Sequence, residues 1–271
     1  MIAHENQGLK NEFIANGYFV IRNFFSEDEI DRLREEIICT GKKLETSNEL
    51  NKDGLIFYSN LFYKSPYLQS FISQAKIIDV LTQVVGTDVW VRWDQCVAKG
   101  PHGCSFPWHQ DNAYNHLKDE HYQFWVAISE MTEENGGLWL QPGSHKLGLL
   151  PHEEIQHHLS CTVQPRPEIF ISAKKGDIVL FSSLMLHQTK QNRTNNHRWA
   201  YVIEYMSVEH YDPLVSGPYF IASESGQPAN RFNKSLPGKR KLKNRLKYVG
   251  IETTQLRANL LKKFGKALSK T

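Results

Sequence analysis

Val89-Trp90-Val91-Arg92-Trp93-Asp94-Gln95-Cys96-Val97 is the stretch at which the chain changes character. Short runs rich in Val, Ile, Trp and Phe recur from here on: His121 to Ile128, Gly137 to Gln141, Asp177 to Phe181 and Trp199 to Met206, separated by Gly, Pro and Asn turns. Many short strands with no regular strand-helix alternation predict a β-rich α+β fold, a double-stranded β-helix of the jelly-roll or cupin-like barrel kind. Before Asp88 the pattern is mostly helical. Gly17 precedes a short β-type run, Tyr18 to Ile21. Ser26 with Glu29 three residues later is a capping box, and Ile30, Leu33 and Ile37 recur at spacings of four and three, so an amphipathic helix is predicted from about Glu27 to Thr40. A second helix is predicted near Leu68 to Val85, stopped by Gly86. These helices are expected to brace one sheet of the barrel.

The 271 residues, 40% hydrophobic and 23% charged, suit one large globular domain spanning 1–271. Four scattered cysteines (Cys39, Cys96, Cys104, Cys161) form no C-x-x-C pair, which points away from a disulfide framework or zinc knuckle and toward a reducing compartment. Met1 to Lys10 has no apolar signal-peptide core, and no run of about 18 apolar residues suggests a transmembrane segment. The expected location is cytoplasmic.

Charge is divided unevenly. Residues 231 to 271 carry thirteen Lys/Arg against one acid, Glu252, a balance of +12, while the rest of the chain is −9. A basic tail on an acidic body is suited either to fold back or to meet an anionic group. Pro213, Gly217, Pro218, Gly226, Pro228, Pro237 and Gly238 crowd the stretch before it, so about 207–240 reads as an extended excursion that could cover a site. Leu256, Leu260, Leu261, Phe264 and Leu268 then fit a basic C-terminal helix over about 241–271.

The chemistry lies between these parts. In Phe106-Pro107-Trp108-His109-Gln110-Asp111 a histidine and a carboxylate stand two residues apart, so an extended backbone sends both from one face. Leu184-Met185-Leu186-His187 supplies a third group after the strand Asp177 to Phe181. Two histidines and one carboxylate on one face of a metal leave other positions open, as non-haem Fe(II) oxygenases require. A lone histidine among twelve is more often a surface or hydrogen-bonded residue, and the company of Arg198 strengthens the functional reading. Arg198 starts the strand Trp199 to Ile203, eleven residues after His187, where its planar fork can meet the far end of a dicarboxylate cosubstrate.

Pro107-Trp108-His109-Gln110-Asp111-Asn112, Trp125, Asn135-Gly136-Gly137-Leu138-Trp139, Pro142-Gly143-Ser144-His145, Asp177-Ile178-Val179-Leu180-Phe181, His187, Asn192 and Arg198 together resemble the phytanoyl-CoA dioxygenase family, over about residues 17–206. The resemblance implies Fe(II) held by His109, Asp111 and His187, with 2-oxoglutarate and O2 as cosubstrates. It implies Arg198 at the distal 2-oxoglutarate carboxylate, Thr189 as the small hydroxyl beside it, and Trp125 in the wall of the cosubstrate pocket. Gln95, on the strand before the metal loop, is a further pocket candidate. Trp125 and Gln95 also have plain readings, as a core aromatic and an outward strand position. Related halogenases have a small residue where Asp111 stands, so the carboxylate favours hydroxylation, or desaturation or demethylation, with release of succinate and CO2.

Two other classes compete with this reading: a non-catalytic metal- or metabolite-binding jelly-roll protein, and a cupin-like metalloenzyme that does not use 2-oxoglutarate. His152-Glu153-Glu154-Ile155-Gln156-His157-His158 is not a zincin motif, because Gln156 stands where H-E-x-x-H needs histidine; it is expected as a solvated helix. His145 is expected to be structural. The basic run Lys239 to Lys247 lacks interleaved aromatics, so no nucleic-acid partner is expected. The expected partner is a small-molecule substrate, in a monomer or homodimer. Residues 51–64, 112–120 and 208–233 are the expected walls and cover of its pocket.

Overall fold

A computed structural model describes residues 2–43, 54–155, 158–163 and 167–236. The elements in chain order are α1 (Ile2–Asn16), β1 (Tyr18–Ile21), α2 (Glu27–Lys43), β2 (Leu55–Ser59), α3 (Pro66–Ile72), α4 (Ala75–Val84), β3 (Val89–Lys99), β4 (Phe106–His109), α5 (Asp111–Asn115), β5 (Tyr122–Ala127), β6 (Leu138–Leu140), β7 (His152–Ile155), β8 (His158–Cys161), β9 (Ile169–Ile171), β10 (Ile178–Ser182), β11 (His187–Thr189), β12 (Arg198–Ser207), β13 (Tyr219–Glu224) and β14 (Gln227–Asn233). A large antiparallel sheet runs β1-β10-β5-β12-β3-β13-β14, with β2 also on β3, and a smaller one runs β4-β11-β6-β9. Trp125, Ala127, Val179, Phe181 and Ala200 of the large sheet share one buried cluster with Leu138, Leu140 and Ile171 of the small one. The two sheets therefore face each other as a jelly roll.

Strand alternation gives the large sheet a second core. Phe124 and Val126 of β5 and Tyr201, Ile203 and Tyr205 of β12 point away from the barrel into a cluster with Ile30, Leu33 and Ile37 of α2 and Ile77, Ile78 and Leu81 of α4. The capping box at the start of α2 is present: the Ser26 backbone N–H donates to Glu29 Oε2 at 2.8 Å, and the Glu29 N–H to Ser26 Oγ at 3.2 Å. Their apolar stripe is what holds these helices to the sheet.

Four expectations change. The single helix over 68–85 is two, α3 and α4, broken at Ser73 and Gln74; the carbonyl of Ile72 turns to accept from the Tyr205 hydroxyl at 2.5 Å, which ends the first helix against the sheet. The stretch 207–240 is not wholly an excursion, because β13 joins the edge of β3 and pairs in turn with β14. Pro213, Gly217 and Pro218 lie in the segment leading to that hairpin and Gly226 in its turn, while Pro228 is the second residue of β14; Pro237 and Gly238 lie outside the described residues. The histidine-rich segment after Pro151 is not a helix but a hairpin, β7 against β8, in register His152↔Cys161 and Ile155↔His158; Gln156 and His157 lie outside the described residues. The long helix α1 carries no strong apolar periodicity and had no counterpart in the pattern. The basic C-terminal helix expected over 241–271, and the run Lys239 to Lys247, lie outside the described residues.

Candidate active site

β4 and β11 are neighbours in the small sheet, and their register sets His187 opposite His109, with ring centroids 4.1 Å apart. Gln110 remains extended (φ −118°, ψ 135°) before Asp111 opens α5. His109 and Asp111 thus leave the chain on one side even though Asp111 is already the first residue of a helix. Both imidazole Nε2 atoms lie 3.7 Å from Asp111 Oδ1, and one ligand atom from each of the three residues falls within 4.8 Å of the others.

The second nitrogen of each ring is committed. His109 Nδ1 lies 2.8 Å from the Pro107 carbonyl and His187 Nδ1 3.0 Å from the Met185 carbonyl. A carbonyl only accepts, so Nδ1 carries the proton and Nε2 keeps its lone pair. Burial lowers the imidazolium pKa of His109 to about 3, with His187 adding to the effect, and that of His187 to about 4. Burial also pushes the Asp111 carboxyl up to about 7. Two neutral imidazoles aimed at a half-buried carboxylate that lacks a hydrogen-bonded cation are the donor set a divalent iron needs, so the residues fit the metal.

These three line a cavity of about 130 Å³ together with Gln95, Trp125, Thr189 and Arg198. All seven residues singled out in the sequence are therefore brought to one space. Arg198 is buried, its Nη2 donating to the Gly136 carbonyl at 3.0 Å while Nε has no partner among the described residues. Burial lowers its pKa to about 10. Gly136 has φ +74°, and a Cβ there would lie 2.2 Å from the Lys190 carbonyl oxygen, so only glycine can present that carbonyl to Arg198. Trp125 belongs both to the inter-sheet core and to the cavity wall, so its two readings are compatible. Gln95 faces inward and bonds Ser59 Oγ at 2.9 Å. His145 stays outside, its ring 6.3 Å from Phe13, consistent with a structural part.

Glu204, Gln123, Trp93 and Phe57 also line the cavity and were not singled out in the sequence. Period-two counting along β12 from Arg198 through Val202 reaches Glu204, and counting back from Trp125 reaches Gln123. Burial opposes the charge of Glu204, but Arg92, followed by the nearby His121, outweighs it and holds the carboxyl below its ordinary range. Arg92 ion-pairs with Glu204 and, at 2.5 Å, with Asp212. No sequence signal marks Arg92, because it enters through a register shift: Glu204 pairs with Trp93 and Tyr205 with Val91, leaving Arg92 as an extra residue. Such a bulge lets two successive residues, Arg92 and Trp93, reach the barrel mouth.

Outside the metal cavity lies a wider one of about 800 Å³, and Trp93 belongs to the walls of both. Ser59, Asn60, Tyr63, Lys64, Asn115, Asp212 and Leu214 to Pro218 contribute to it, so each of the three segments expected as pocket walls supplies residues. Residues 51–53 of the first segment lie outside the described residues. The β7–β8 hairpin flanks the metal loop: the Gln110 N–H donates to His152 Nε2 at 3.2 Å, and the His158 ring lies 4.4 Å from that of Phe106.

A jelly roll with two histidines and a carboxylate converging at one end of a cavity, and a buried arginine at the other, defines a non-haem iron oxygenase of the 2-oxoglutarate-dependent class. The sequence pattern of the family described as "Phytanoyl-CoA dioxygenase (PhyH)" matches residues 13–200, and the chain belongs to that family. It is similar to a probable alpha-ketoglutarate-dependent hypophosphite dioxygenase of Stutzerimonas stutzeri, with 24% identity over 78% of this chain and 82% of that protein. A probable phytanoyl-CoA dioxygenase of Caenorhabditis elegans shares 26% identity over 70% of this chain and 72% of its own. Among solved structures, a non-heme monooxygenase, ThoJ, has a TM-score of 0.71 at 17% identity over 94% of this chain and 99% of its own, a likeness of fold. The protein is an iron- and 2-oxoglutarate-dependent oxygenase.

Proposed function

We propose that His109, Asp111 and His187 hold the iron, that Arg198 and Thr189 bind the distal carboxylate of 2-oxoglutarate, and that the enzyme hydroxylates a C–H bond of a small organic molecule. The observation that carries this reading is the single cavity with three convergent metal-ligand atoms at one end and the buried Arg198 guanidinium at the other. When bound, iron and 2-oxoglutarate supply the oxidising power, with O2 consumed and succinate and CO2 released.

The chain's own residues bind, orient and exclude water. The Pro107 and Met185 carbonyls hold the two imidazoles in one tautomer and orientation. Phe57, Trp93, Phe106, Trp125 and Phe181 give the cavity aromatic walls, which favour a dry site in which charged contacts are stronger. A substrate approaches from the wider outer cavity, with Trp93 at the boundary. The polar wall there, with Asn60, Lys64, Asn115 and Asp212, suits a polar small molecule better than a bare acyl chain. No helix among the described residues is long and apolar enough to cross a membrane, and the scattered free cysteines fit a cytosolic setting.

The test is anaerobic addition of Fe(II) and 2-oxoglutarate. The expected result is a visible charge-transfer band, followed on admission of O2 by succinate and CO2. Absence of the band, or a His187→Ala variant that still couples succinate to an oxidised product, overturns the assignment.

A further inference from the structure

Lys99 is the last residue of β3, fully buried, and directly opposite Arg198 in the β3–β12 register. Its Nζ reaches three oxygens: Lys190 O at 2.6 Å, Thr189 Oγ1 at 2.9 Å and Thr189 O at 3.5 Å. All three are neutral. Neither Lys99 nor Arg198 has a carboxylate within ion-pairing distance among the described residues. A buried lysine beside a buried guanidinium, without an internal counter-ion, is costly to charge unless an anion is meant to meet the pair. Lys99 does not itself line the metal cavity, whereas Thr189 and Arg198 do.

We propose that Lys99 is a positioning residue for the distal carboxylate of the cosubstrate, acting through the Thr189 hydroxyl. This rests on the 2-oxoglutarate reading above. Two of the three acceptors around Nζ are backbone carbonyls, which take two of its protons. As an ammonium, Lys99 gives its third proton to Thr189 Oγ1 and leaves the hydroxyl hydrogen free to point into the cavity. As a neutral amine it has only a lone pair left for that contact, and the hydroxyl turns to donate to Lys99 instead. Burial, followed by the nearby guanidinium of Arg198, lowers the Lys99 pKa to about 6. A carboxylate seated between Arg198 and Thr189 supplies the missing negative charge and favours the ammonium, and with it the donating hydroxyl. Lys99 thus completes a carboxylate subsite from behind.

The experiment measures binding, by calorimetric titration of the Mn(II)-loaded protein with 2-oxoglutarate and with 2-oxopentanoate, the same five-carbon 2-oxo acid without the distal carboxylate. In Lys99→Met, affinity for 2-oxoglutarate should fall about ten-fold or more while that for 2-oxopentanoate stays at the wild-type value. Thr189→Val should lose a similar factor, and the double variant should be no weaker than the weaker single one, since both changes act on one contact. Lys99→Gln, which keeps a donor without the charge, carries the same expectation and serves where the methionine variant does not fold. A Lys99 variant that binds 2-oxoglutarate like the wild type, that loses both acids equally, or whose loss adds to that of Thr189→Val overturns the proposal. A wild type that does not favour 2-oxoglutarate over 2-oxopentanoate removes the cosubstrate reading itself, and this one with it.

Discussion

One pair of strands, β12 and β3, runs between the two ends of the barrel interior, which carry opposite charge. On β12 the inward positions run from Arg198 to Glu204, six residues or about 20 Å of strand, and β3 runs beside it from Lys99 to Trp93. The iron end collects carboxylates, Asp111 and Glu204, with neutral imidazoles. The far end collects basic groups, the Arg198 guanidinium and the Lys99 amine. The difference in how each end is balanced is instructive. Glu204 has an internal partner in Arg92, itself shared with Asp212, so that part of the iron end is neutralised within the protein. Asp111 at one end and the Arg198–Lys99 pair at the other have no such partner among the described residues. Each is left for an incoming ion of the opposite sign, a metal cation in one case and a carboxylate in the other.

Breaking one end at a time tests that division. The largest effect is expected from His187→Ala: iron binding and succinate formation should fall to background, while titration with a dicarboxylate such as succinate still detects the Arg198 end. Loss of both functions would mean that the ends are not separable. Arg92→Met should be next. It leaves Glu204 and Asp212 buried without their cation, at a cost of about 3–5 kcal/mol in urea unfolding. An unchanged midpoint would show that the iron end does not depend on this internal neutralisation.

Arg198→Met attacks the opposite end. The apparent KM for 2-oxoglutarate should rise about a hundred-fold, as expected for truncating a buried charged partner, with iron affinity at the wild-type level. An equal fall in iron affinity would contradict the separation. The smallest effect lies in pH dependence. The folded-state pKa of Lys99 is lowered to about 6, against about 10.4 in an unfolded chain. Between those values the unfolded chain binds a proton that the folded one does not, so this group makes stability rise with pH across that window. Its contribution is about 1 kcal/mol per pH unit. Comparing urea unfolding at pH 7 and pH 9, Lys99→Met should lose that part of the slope, and an identical slope in both proteins would show that Lys99 remains charged.

How much of the site could be read in advance follows from distance along the chain. His109 and Asp111 are separated by one extended residue, so local geometry alone puts them on one face. Thr189 shares β11 with His187, and Arg198 opens the next strand along the chain, so their spacing to His187 carries meaning. Gln123 is one step of strand alternation from Trp125, and Glu204 three steps from Arg198. Lys99, in contrast, looks like an ordinary strand-end lysine until the β3–β12 register sets it opposite Arg198. Arg92 is hidden further, because a register shift replaces the period-two rule at the one point where it is needed. The β7–β8 hairpin was also illegible, since its polar, histidine-rich residues carry no apolar alternation and its form comes from pairing beside the metal loop.

By itself, the sequence determined the β-rich class, the capped α2 and the His109–Asp111 pair, because each rests on periodicity or on spacing within a few residues, while His187 and Arg198 were marked as candidates by the order of motifs that resembles the family. Only the tertiary structure decided that these groups share one cavity, that Trp93 stands between it and a wider outer one, and that the two ends carry opposite unbalanced charge. Strand register is a long-range property: hydrogen bonds between residues about a hundred positions apart, such as Lys99 and Arg198, set which side chains meet, and no local pattern encodes that pairing.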